Sequence, residues 1–252
     1  NVFLAGRLHV GKDRADKLLV SLGLFDSRAS ARAAIEAGNV TAGGVVVTKP
    51  SQMLSRDDRI EAQPAHPYVS RGGLKLAHGL SAFGVDPAGR VCLDIGASTG
   101  GFTDVLLRAG ATHVVAVDVG RGQLHSSLSD EDGVTSLEAQ DARTLTGEML
   151  GDTPSLLVCD ASFIALEKLL AVPLSLAAER AEIVGLFKPQ FQVGRENIGK
   201  GGLVTDSEKA DLAADVFTEW MAGQGWPIQS WTQSPITGGD GNAERLFYAV
   251  RT

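Results

Sequence analysis

Short apolar runs alternate with helical patterns along the second two thirds of the chain. Five runs have the length and apolar content of buried strands and each leads into polar or glycine-containing residues: RVCLDIG, HVVAVDVG, VTSLEAQD, SLLVCDAS and EIVGLFKP. Helical periodicity begins at Gly101 and returns over residues 166–180 and 207–225. Such alternation predicts an α/β fold with a mostly parallel sheet and helices on both faces. Two late runs, Pro227 to Ser234 and Glu244 to Arg251, have only a loop between them and predict an antiparallel final strand.

The first 62 residues follow a different pattern. Two short helical stretches from Arg14 onward are broken at GLFDSR, where Asp26 or Ser27 can cap the second helix. β-Branched runs interrupted by Gly43-Gly44 predict a short hairpin, and a further strand is expected near Arg59 to Ala62. The segment QPAHPYVS has two prolines and no periodicity, which is typical of a linker. We therefore predict a small α+β domain over residues 12–62, a linker over 63–70 and an α/β domain over 71–252.

Composition adds limits on the class of protein. The chain has 252 residues, 44% of them apolar, and no run of 18 apolar residues, which predicts a globular protein with no membrane partner. The opening NVFLAGRLHV has too short an apolar core and no small-residue cleavage site for a signal peptide, so we expect a cytoplasmic location and leave Asn1 to Gly11 out of the fold. Cys92 and Cys159 lie in strand-like runs and are expected to be buried free thiols.

Charge is distributed unevenly along the chain. The net charge of −7 argues against a uniformly basic nucleic-acid binder. Residues 1–63 nevertheless contain nine Lys or Arg against seven Asp or Glu, whereas the remainder contains fourteen against twenty-three. We expect the two regions to meet different partners, although ordinary surface variation can produce a difference of this size.

The stretch LDIGASTGGFTDVLLRAG, Leu93 to Gly110, predicts a strand, a glycine loop and a helix that receive a ligand. Its glycines, Gly96, Gly100 and Gly101, with Ser98 between them, form neither G-x-G-x-x-G nor a P-loop, which disfavours a pyrophosphate. The Asp94 carboxylate would also repel a pyrophosphate, but it suits a ligand that carries an ammonium and a sulfonium. S-adenosylmethionine is such a ligand. A nicotinamide dehydrogenase is the rival interpretation and would need the missing glycine pattern.

Two more carboxylates follow at predicted strand ends. Asp118, at the end of the second strand, is placed to accept hydrogen bonds from ribose hydroxyls. Asp141, at the end of the third, can accept from an adenine amino group. Aspartate is common at strand ends for structural reasons alone, so the prediction depends on all three carboxylates sharing one edge of the sheet.

Four segments beyond the glycine loop carry polar residues that a purely structural sheet does not need. Lys188 ends the apolar strand EIVGLFKP, where burial and neighbouring cations favour the neutral amine, and it is our candidate general base. Asp160 in CDASF would orient it, and Lys75 in SRGGLKL would add positive potential that stabilises an emerging alkoxide. Glu244 in GNAERLF would hold one lysine in place. Snorkelling lysines and surface salt bridges are the structural alternatives.

The N-terminal region resembles the S4-type RNA-binding domain. The pattern R-x-D-x-L, an SR followed by an alanine-rich helix, and a V-x-x-G hairpin are met between Arg14 and Glu61, although TAGG at the hairpin tip departs from the family. The resemblance implies RNA contact by a basic face, for which the candidates are Arg14, Lys17, Arg28, Arg32 and Lys49. A solvated helix face is the alternative.

The larger region resembles the FtsJ-like 2′-O-ribose methyltransferases. Lys75, Asp160, Lys188 and Glu244 correspond to that family's Lys-Asp-Lys-Glu tetrad. Together with the S4-type domain, the segments YVSRGGLKL, VDVGRGQL and LFKPQF resemble the TlyA family, whose members carry both haemolysin and ribosomal RNA methyltransferase names.

The TlyA resemblance implies a Rossmann-like methyltransferase domain and transfer of a methyl group from S-adenosylmethionine to the ribose 2′-hydroxyl of a cytidine in the small or large ribosomal subunit, without a metal. Which lysine is the base stays open. Arg71 is a further candidate for RNA contact, as are Arg195 and Lys200 in the long loop Phe191 to Asp206. We expect this loop to close over RNA; a plain flexible connection is the alternative. A membrane-lytic protein and a non-catalytic RNA-binding assembly factor are the rival functions.

Overall fold

The computed structural model describes residues 11–252, so residues 1–10 and the predictions made for them lie outside the described residues. The chain forms two compact units that divide between Pro67 and Tyr68. The division falls inside the segment 63–70, for which the sequence predicts a linker.

The first unit is a small α+β structure built on two short helices. Its elements are β1 Lys12–Arg14, α1 Ala15–Ser21, α2 Arg28–Glu36, β2 Val40–Ala42, β3 Val45–Val46, β4 Met53–Ser55 and β5 Ile60–Ala62. Strands β3, β2 and β5 form an antiparallel sheet, and β1 pairs with β4. Ser27 caps α2 in a capping box with Ser30, which confirms one of the two predicted caps. Gly43 and Gly44 both have positive φ, as a two-residue hairpin turn requires.

The second unit is a seven-stranded sheet with helices on both faces. Its elements are α3 Gly72–Phe83, β6 Val91–Ile95, α4 Gly101–Arg108, β7 His113–Val117, α5 Ser126–Ser129, β8 Val134–Leu137, α6 Gly147–Leu150, β9 Leu156–Cys159, α7 Leu166–Ser175, β10 Glu182–Phe187, α8 Ser207–Gly223, β11 Ile228–Gln233 and β12 Arg245–Val250. The strand order is β11-β12-β10-β9-β6-β7-β8. All neighbours are parallel except those of β12, which runs antiparallel to β10 and β11, as predicted.

Alternation along each strand divides the core into two layers. Leu93 and Ile95 of β6 belong to the layer that includes α7 and α8, whereas Cys92 belongs to the layer beneath α3 and α4. Asp94 is two residues from Cys92 in the same strand, so its side chain lies on the face of the sheet that is covered by α3 and α4. Both cysteines are buried free thiols, and burial raises the pKa of each to about 12.

Helix α3 is the longest element that the hydrophobic pattern did not predict. Three of its twelve residues are glycine, which lowers intrinsic helix propensity. Packing explains why it forms: a β-carbon at Gly79 would lie 3.0 Å from the Leu246 side chain and 3.1 Å from that of Val184, so glycine lets α3 pack closely on the sheet. Gly84 ends the helix in the left-handed conformation.

The structure corrects the bounds of two predicted elements. Helix α7 ends at Ser175, not at residue 180, and strand β8 ends at Leu137. Asp141 therefore does not end the third strand; it lies four residues beyond it and begins a 3-10 turn, where its side chain accepts a hydrogen bond from the Arg143 amide.

Candidate active site

The candidate residues meet at one edge of the sheet because of strand direction and register. Asp160 follows β9 and Lys188 follows β10, and these neighbouring parallel strands end at the same edge. Strand β12 is antiparallel, so its beginning lies where the others end: Arg245 pairs with Phe187. Lys188 directly follows Phe187 and Glu244 directly precedes Arg245, so both lie at the same end of the sheet.

Two buried lysine–carboxylate pairs occupy this edge. Lys75 Nζ on α3 lies 2.5 Å from Glu244 Oε2, and the two side chains are 10% and 3% exposed. Lys188 Nζ lies 2.6 Å from Asp160 Oδ1 and also donates to Ser162 Oγ at 2.9 Å. Lys75, Glu244 and Lys188 are at most 10% exposed and Asp160 is 20% exposed, and charges with so little exposure are normally paired. The structure thus brings together all four residues for which the sequence predicts catalysis.

Asp94 is fully buried beneath the glycine loop. Thr103 Oγ1 donates to its Oδ2 at 2.7 Å, whereas its Oδ1 has no hydrogen-bond partner among residues 11–252. The pKa of Asp94 is raised to about 7, mainly by burial and also by the charges of Asp160 and Asp118, against the lowering effect of the Thr103 hydrogen bond. A cationic group reaching Oδ1 would satisfy it and favour the ionised form.

The glycine loop is shaped by close backbone packing. Gly96 has a φ of +81°, and a β-carbon there would lie 3.0 Å from the Ala161 Cα. Gly101 begins α4 against the start of α3, since a β-carbon there would lie 3.0 Å from the Gly73 amide nitrogen and 2.2 Å from Ser70 Oγ. Ser98, at a φ of +47°, donates its amide to Asp118 Oδ2 at 2.8 Å. The loop is thus held against the loop that follows β7.

Asp118 and Asp141 lie along a second wall. Asp118 Oδ1 accepts from the Gly120 amide at 2.7 Å, and Asp141 Oδ2 lies 2.6 Å from the Arg143 guanidinium, which keeps the pKa of Asp141 below its usual range. Glu138 was not predicted from the sequence. It accepts hydrogen bonds from the amides of residues 122–124 and so fixes the loop between β7 and α5.

Three neighbouring cavities follow this edge. One of about 600 Å³ is lined by Asp118, Asp141 and Arg143, and we call it the Asp118 cavity. The next, of about 320 Å³, lies between the glycine loop and the lysine–carboxylate pairs, and we call it the central cavity. The third, of about 870 Å³, shares Lys75, Ser162 and Lys188 with the central cavity, and we call it the outer cavity. Ligands in the central and outer cavities would therefore meet at the two lysines.

Aromatic and basic side chains line the outer cavity. Phe163 is 91% exposed and its backbone has a φ of +66°, which is strained for a non-glycine residue. Its ring centroid is 5.2 Å from that of Phe191. Arg195 also lines this cavity, and Arg71 lines the central one. Exposed Lys200 lies in the same loop as Arg195 but lines neither cavity.

Several basic residues of the first unit have intramolecular partners. Arg14 and Arg28 both pair with buried Asp16, at 3.0 Å and 2.7 Å, and the Arg14 hydrogen bond is the main cause that lowers the pKa of Asp16 far below its usual range. Lys17 lies 3.7 Å from Asp13. Arg32 and Lys49 are exposed. Part of the predicted basic face therefore also stabilises the fold, and the aspartate of R-x-D-x-L was the signal for it.

Comparison with known proteins follows the same division into two units. A model of the FtsJ-like methyltransferases matches residues 68–251, and an S4 domain model matches residues 13–60. The Mycobacterium tuberculosis protein named 16S/23S rRNA (cytidine-2′-O)-methyltransferase TlyA is 42% identical over 241 residues, which span 95% of this chain and 90% of that protein. The chain belongs to the TlyA family.

Other TlyA relatives carry the name hemolysin. Hemolysin A of Brachyspira hyodysenteriae is 37% identical over 238 residues, which cover 94% of this chain and 99% of that protein. A solved structure of a hemolysin-named protein from Streptococcus thermophilus has a TM-score of 0.76 at 36% identity and covers 96% of this chain and 90% of its own. Within residues 11–252 of this TlyA-family chain, no helix is both long enough and apolar enough to cross a membrane.

Proposed function

We propose that this chain transfers a methyl group from S-adenosylmethionine to the ribose 2′-oxygen of a cytidine in ribosomal RNA. The observation that carries the proposal is the position of the Lys75–Glu244 and Lys188–Asp160 pairs on the wall common to the central and outer cavities. The family places a methyltransferase unit here, and the TlyA relatives named as cytidine-2′-O-methyltransferases support the choice of RNA and of nucleoside.

The residues at the sheet edge fit S-adenosylmethionine, which when bound supplies a methyl group activated by a positively charged sulfur. Asp94 Oδ1, buried without a partner among the described residues, would accept from the ammonium group. Asp118 already accepts two amide hydrogen bonds, but a carboxylate has about four acceptor sites and can also receive ribose hydroxyls. Asp141 and the exposed side chain of Val119 would contact the adenine in the Asp118 cavity.

Lys188 is the proposed general base. Its Nζ would take the proton of the 2′-hydroxyl as the oxygen forms its bond to the methyl carbon and the carbon–sulfur bond breaks; the proton then leaves to solvent. Asp160 and Ser162 hold the Lys188 Nζ in position before the ligands arrive.

Lys75 would stabilise the oxygen as it loses its proton. Glu244 fixes the Lys75 ammonium by a 2.5 Å contact, so its positive charge is already oriented before the reaction and costs no rearrangement. Because a 2′-hydroxyl is a poor nucleophile and the methyl donor is already activated, alignment and proton removal are the main catalytic demands.

The outer cavity suits an unstacked nucleotide. The exposed Phe163 ring beside Phe191 offers a face on which a base can stack, and Arg195 can contact a neighbouring phosphate. The S4-type unit, with exposed Arg32 and Lys49, would add sequence-independent attraction to the RNA backbone.

Transfer of labelled methyl groups to purified ribosomal subunits that lack the modification tests the proposal. We expect label at a cytidine 2′-oxygen with the natural chain, loss of transfer in Lys188→Ala with cofactor affinity retained, and full transfer in Arg180→Ala. Arg180 is a suitable control because it is an exposed cation just before β10, at the opposite edge of the sheet. Tight cofactor binding without transfer to either subunit would refute the assigned reaction, and undiminished transfer by Lys188→Ala would refute the assigned base.

A further inference from the structure

Gln190 stands out in the outer cavity because half of its side-chain amide is unsatisfied. The residue is 6% exposed and lines the cavity. Its Nε2 donates to Asp240 Oδ2 at 3.0 Å, but its Oε1 has no hydrogen-bond partner among residues 11–252. A buried carbonyl oxygen without a donor is costly, so its retention calls for an explanation.

Asp240 fixes which end of the Gln190 amide is left over. Although burial opposes the change, hydrogen bonds from Asn242 and Gln190 lower the pKa of Asp240, so this residue stays a carboxylate that can only accept. The amide nitrogen of Gln190 must therefore face Asp240. The Asn242 side chain also donates to Asp240 Oδ2 at 2.9 Å, which fixes the carboxylate in turn. The unsatisfied atom of Gln190 is thus always the acceptor.

Asn242 extends this set of hydrogen bonds to the loop that lines the cavity. Its side chain donates to the Gly202 carbonyl at 2.9 Å and accepts from the Val204 amide at 3.0 Å. Asn242 is itself buried, and both the nitrogen and the oxygen of its side-chain amide have hydrogen-bond partners. The Gln190 oxygen is therefore an exception within a well-satisfied network.

The position of Gln190 relates it to the base of a bound nucleotide. It lies in the 3-10 turn Pro189–Phe191, two residues after Lys188 and directly before Phe191, whose ring contacts Phe163. In the proposed function, Lys188 meets the ribose and the two phenylalanine rings meet the base. The amide between them is held where the polar edge of that base would enter.

We infer that Gln190 selects a base with an exocyclic amino group, by accepting a hydrogen bond from that group at its Oε1. Cytosine has such a donor at N4, whereas uracil has a carbonyl oxygen at the same position and would place two acceptors against each other. Gln190 would therefore be the residue that distinguishes cytidine from uridine. The inference rests on the proposed function and concerns its specificity, not its chemistry.

The test compares methyl transfer to subunits that carry either cytidine or uridine at the target position. Because sites built around a substrate N–H reject analogues that lack it, we expect the natural chain to prefer cytidine by at least about 100-fold in kcat/KM. Gln190→Met has a similar volume but no acceptor and should reduce the preference to less than about 10-fold, mainly by losing activity on cytidine. Cofactor affinity should not change.

Gln192→Met is the matched control, since Gln192 follows the same turn but does not line the outer cavity; its preference should equal that of the natural chain. If Gln190→Met fails to fold, Asp240→Asn provides the second test, because an amide at 240 no longer fixes the Gln190 orientation and the preference should again fall. Full preference for cytidine in a folded Gln190 or Asp240 variant overturns the inference. If the natural chain methylates neither substrate, the proposed function itself has failed, whereas methylation of both at equal rates refutes only the role of Gln190.

Discussion

Replacement of Asp94 by asparagine should make the methyltransferase unit more stable at alkaline pH. The ordinary pKa of an aspartate is 3.8, whereas burial raises that of Asp94 to about 7. The folded state therefore binds the Asp94 proton more tightly than the unfolded state does. This contribution to stability is complete below pH 3.8 and is lost as the pH rises to 7, after which it stays lost.

The size of the effect follows from the same values. Each tenfold change in a proton-binding constant corresponds to about 1.4 kcal/mol, so the interval from 3.8 to about 7 corresponds to about 4 kcal/mol. Asparagine does not titrate and can still accept the hydrogen bond from Thr103. At pH 8, Asp94→Asn should thus raise the free energy of unfolding by up to about 4 kcal/mol, less about 1 kcal/mol for its unpaired amide.

Urea unfolding monitored by tryptophan fluorescence is the assay. All three tryptophans, Trp220, Trp226 and Trp231, lie in the second unit, so the signal reports on that unit alone. As the pH rises from 4 to 7, the free energy of unfolding of the variant should increase relative to that of the natural chain. The variant should also bind S-adenosylmethionine more weakly. If the two proteins differ in stability by the same amount at pH 4 and pH 8, the argument that burial disfavours the ionised form of Asp94 is refuted.

Other perturbations have equally specific outcomes. Glu244→Gln should destabilise the second unit by about 3 kcal/mol in the same fluorescence assay because it leaves the Lys75 cation buried without its partner, and adding Lys75→Met should restore part of that stability but no methyl transfer. Gly96→Ala should weaken S-adenosylmethionine binding at least about tenfold by calorimetry, since it combines a strained φ with a clash, whereas Gly84→Ala, with positive φ but open space, should leave binding unchanged. Asp16→Asn should lower the melting temperature of the first unit, followed by circular dichroism at neutral pH, and the deficit should vanish as the pH falls below the usual range of an aspartate, because the stabilisation by Arg14 and Arg28 requires the carboxylate. The double variant Arg195→Ala, Lys200→Ala should reduce the salt dependence of RNA binding; an unchanged slope would remove the loop from the RNA contact.

The sequence predicted the sheet well because its strands are apolar runs with clear ends. The alternation of short apolar runs with helical patterns and the lack of a helix between β11 and β12 were enough to predict both the parallel core and the antiparallel final strand. Helix α3 was missed because its three glycines lower its intrinsic propensity, and only packing against Val184 and Leu246 explains it. The pair β1 and β4 was missed because their sequences, KDR and MLS, contain none of the β-branched residues that indicated the other short strands.

The site was predictable where chemistry coincided with strand ends. Asp160 and Lys188 follow apolar strands directly, so their meeting could be expected from strand direction alone. The partner of each lysine could not, because pairing Lys75 with Glu244 depends on how α3 lies on the sheet. Gln190 and Phe163 could not be recognised from any local sequence pattern. Gln190 is notable for its unsatisfied side-chain oxygen and Phe163 for its positive φ, and only the folded chain has these properties.

The antiparallel direction of β12 also limits which changes in chain length the enzyme can tolerate. Residues of β12 pair with buried residues of β10, for example Leu246 with Leu186, and these pairs fix the position of the strand. The position of Glu244, directly before β12, is therefore fixed as well. One residue inserted between Arg245 and Leu246 would move Glu244 by about 3.4 Å, which is more than its contact with Lys75 can absorb. Insertions in the preceding loop would leave the position of Glu244 unchanged. We therefore expect length variation among active homologues to be excluded from the start of the last strand, although no residue of that strand need touch either ligand.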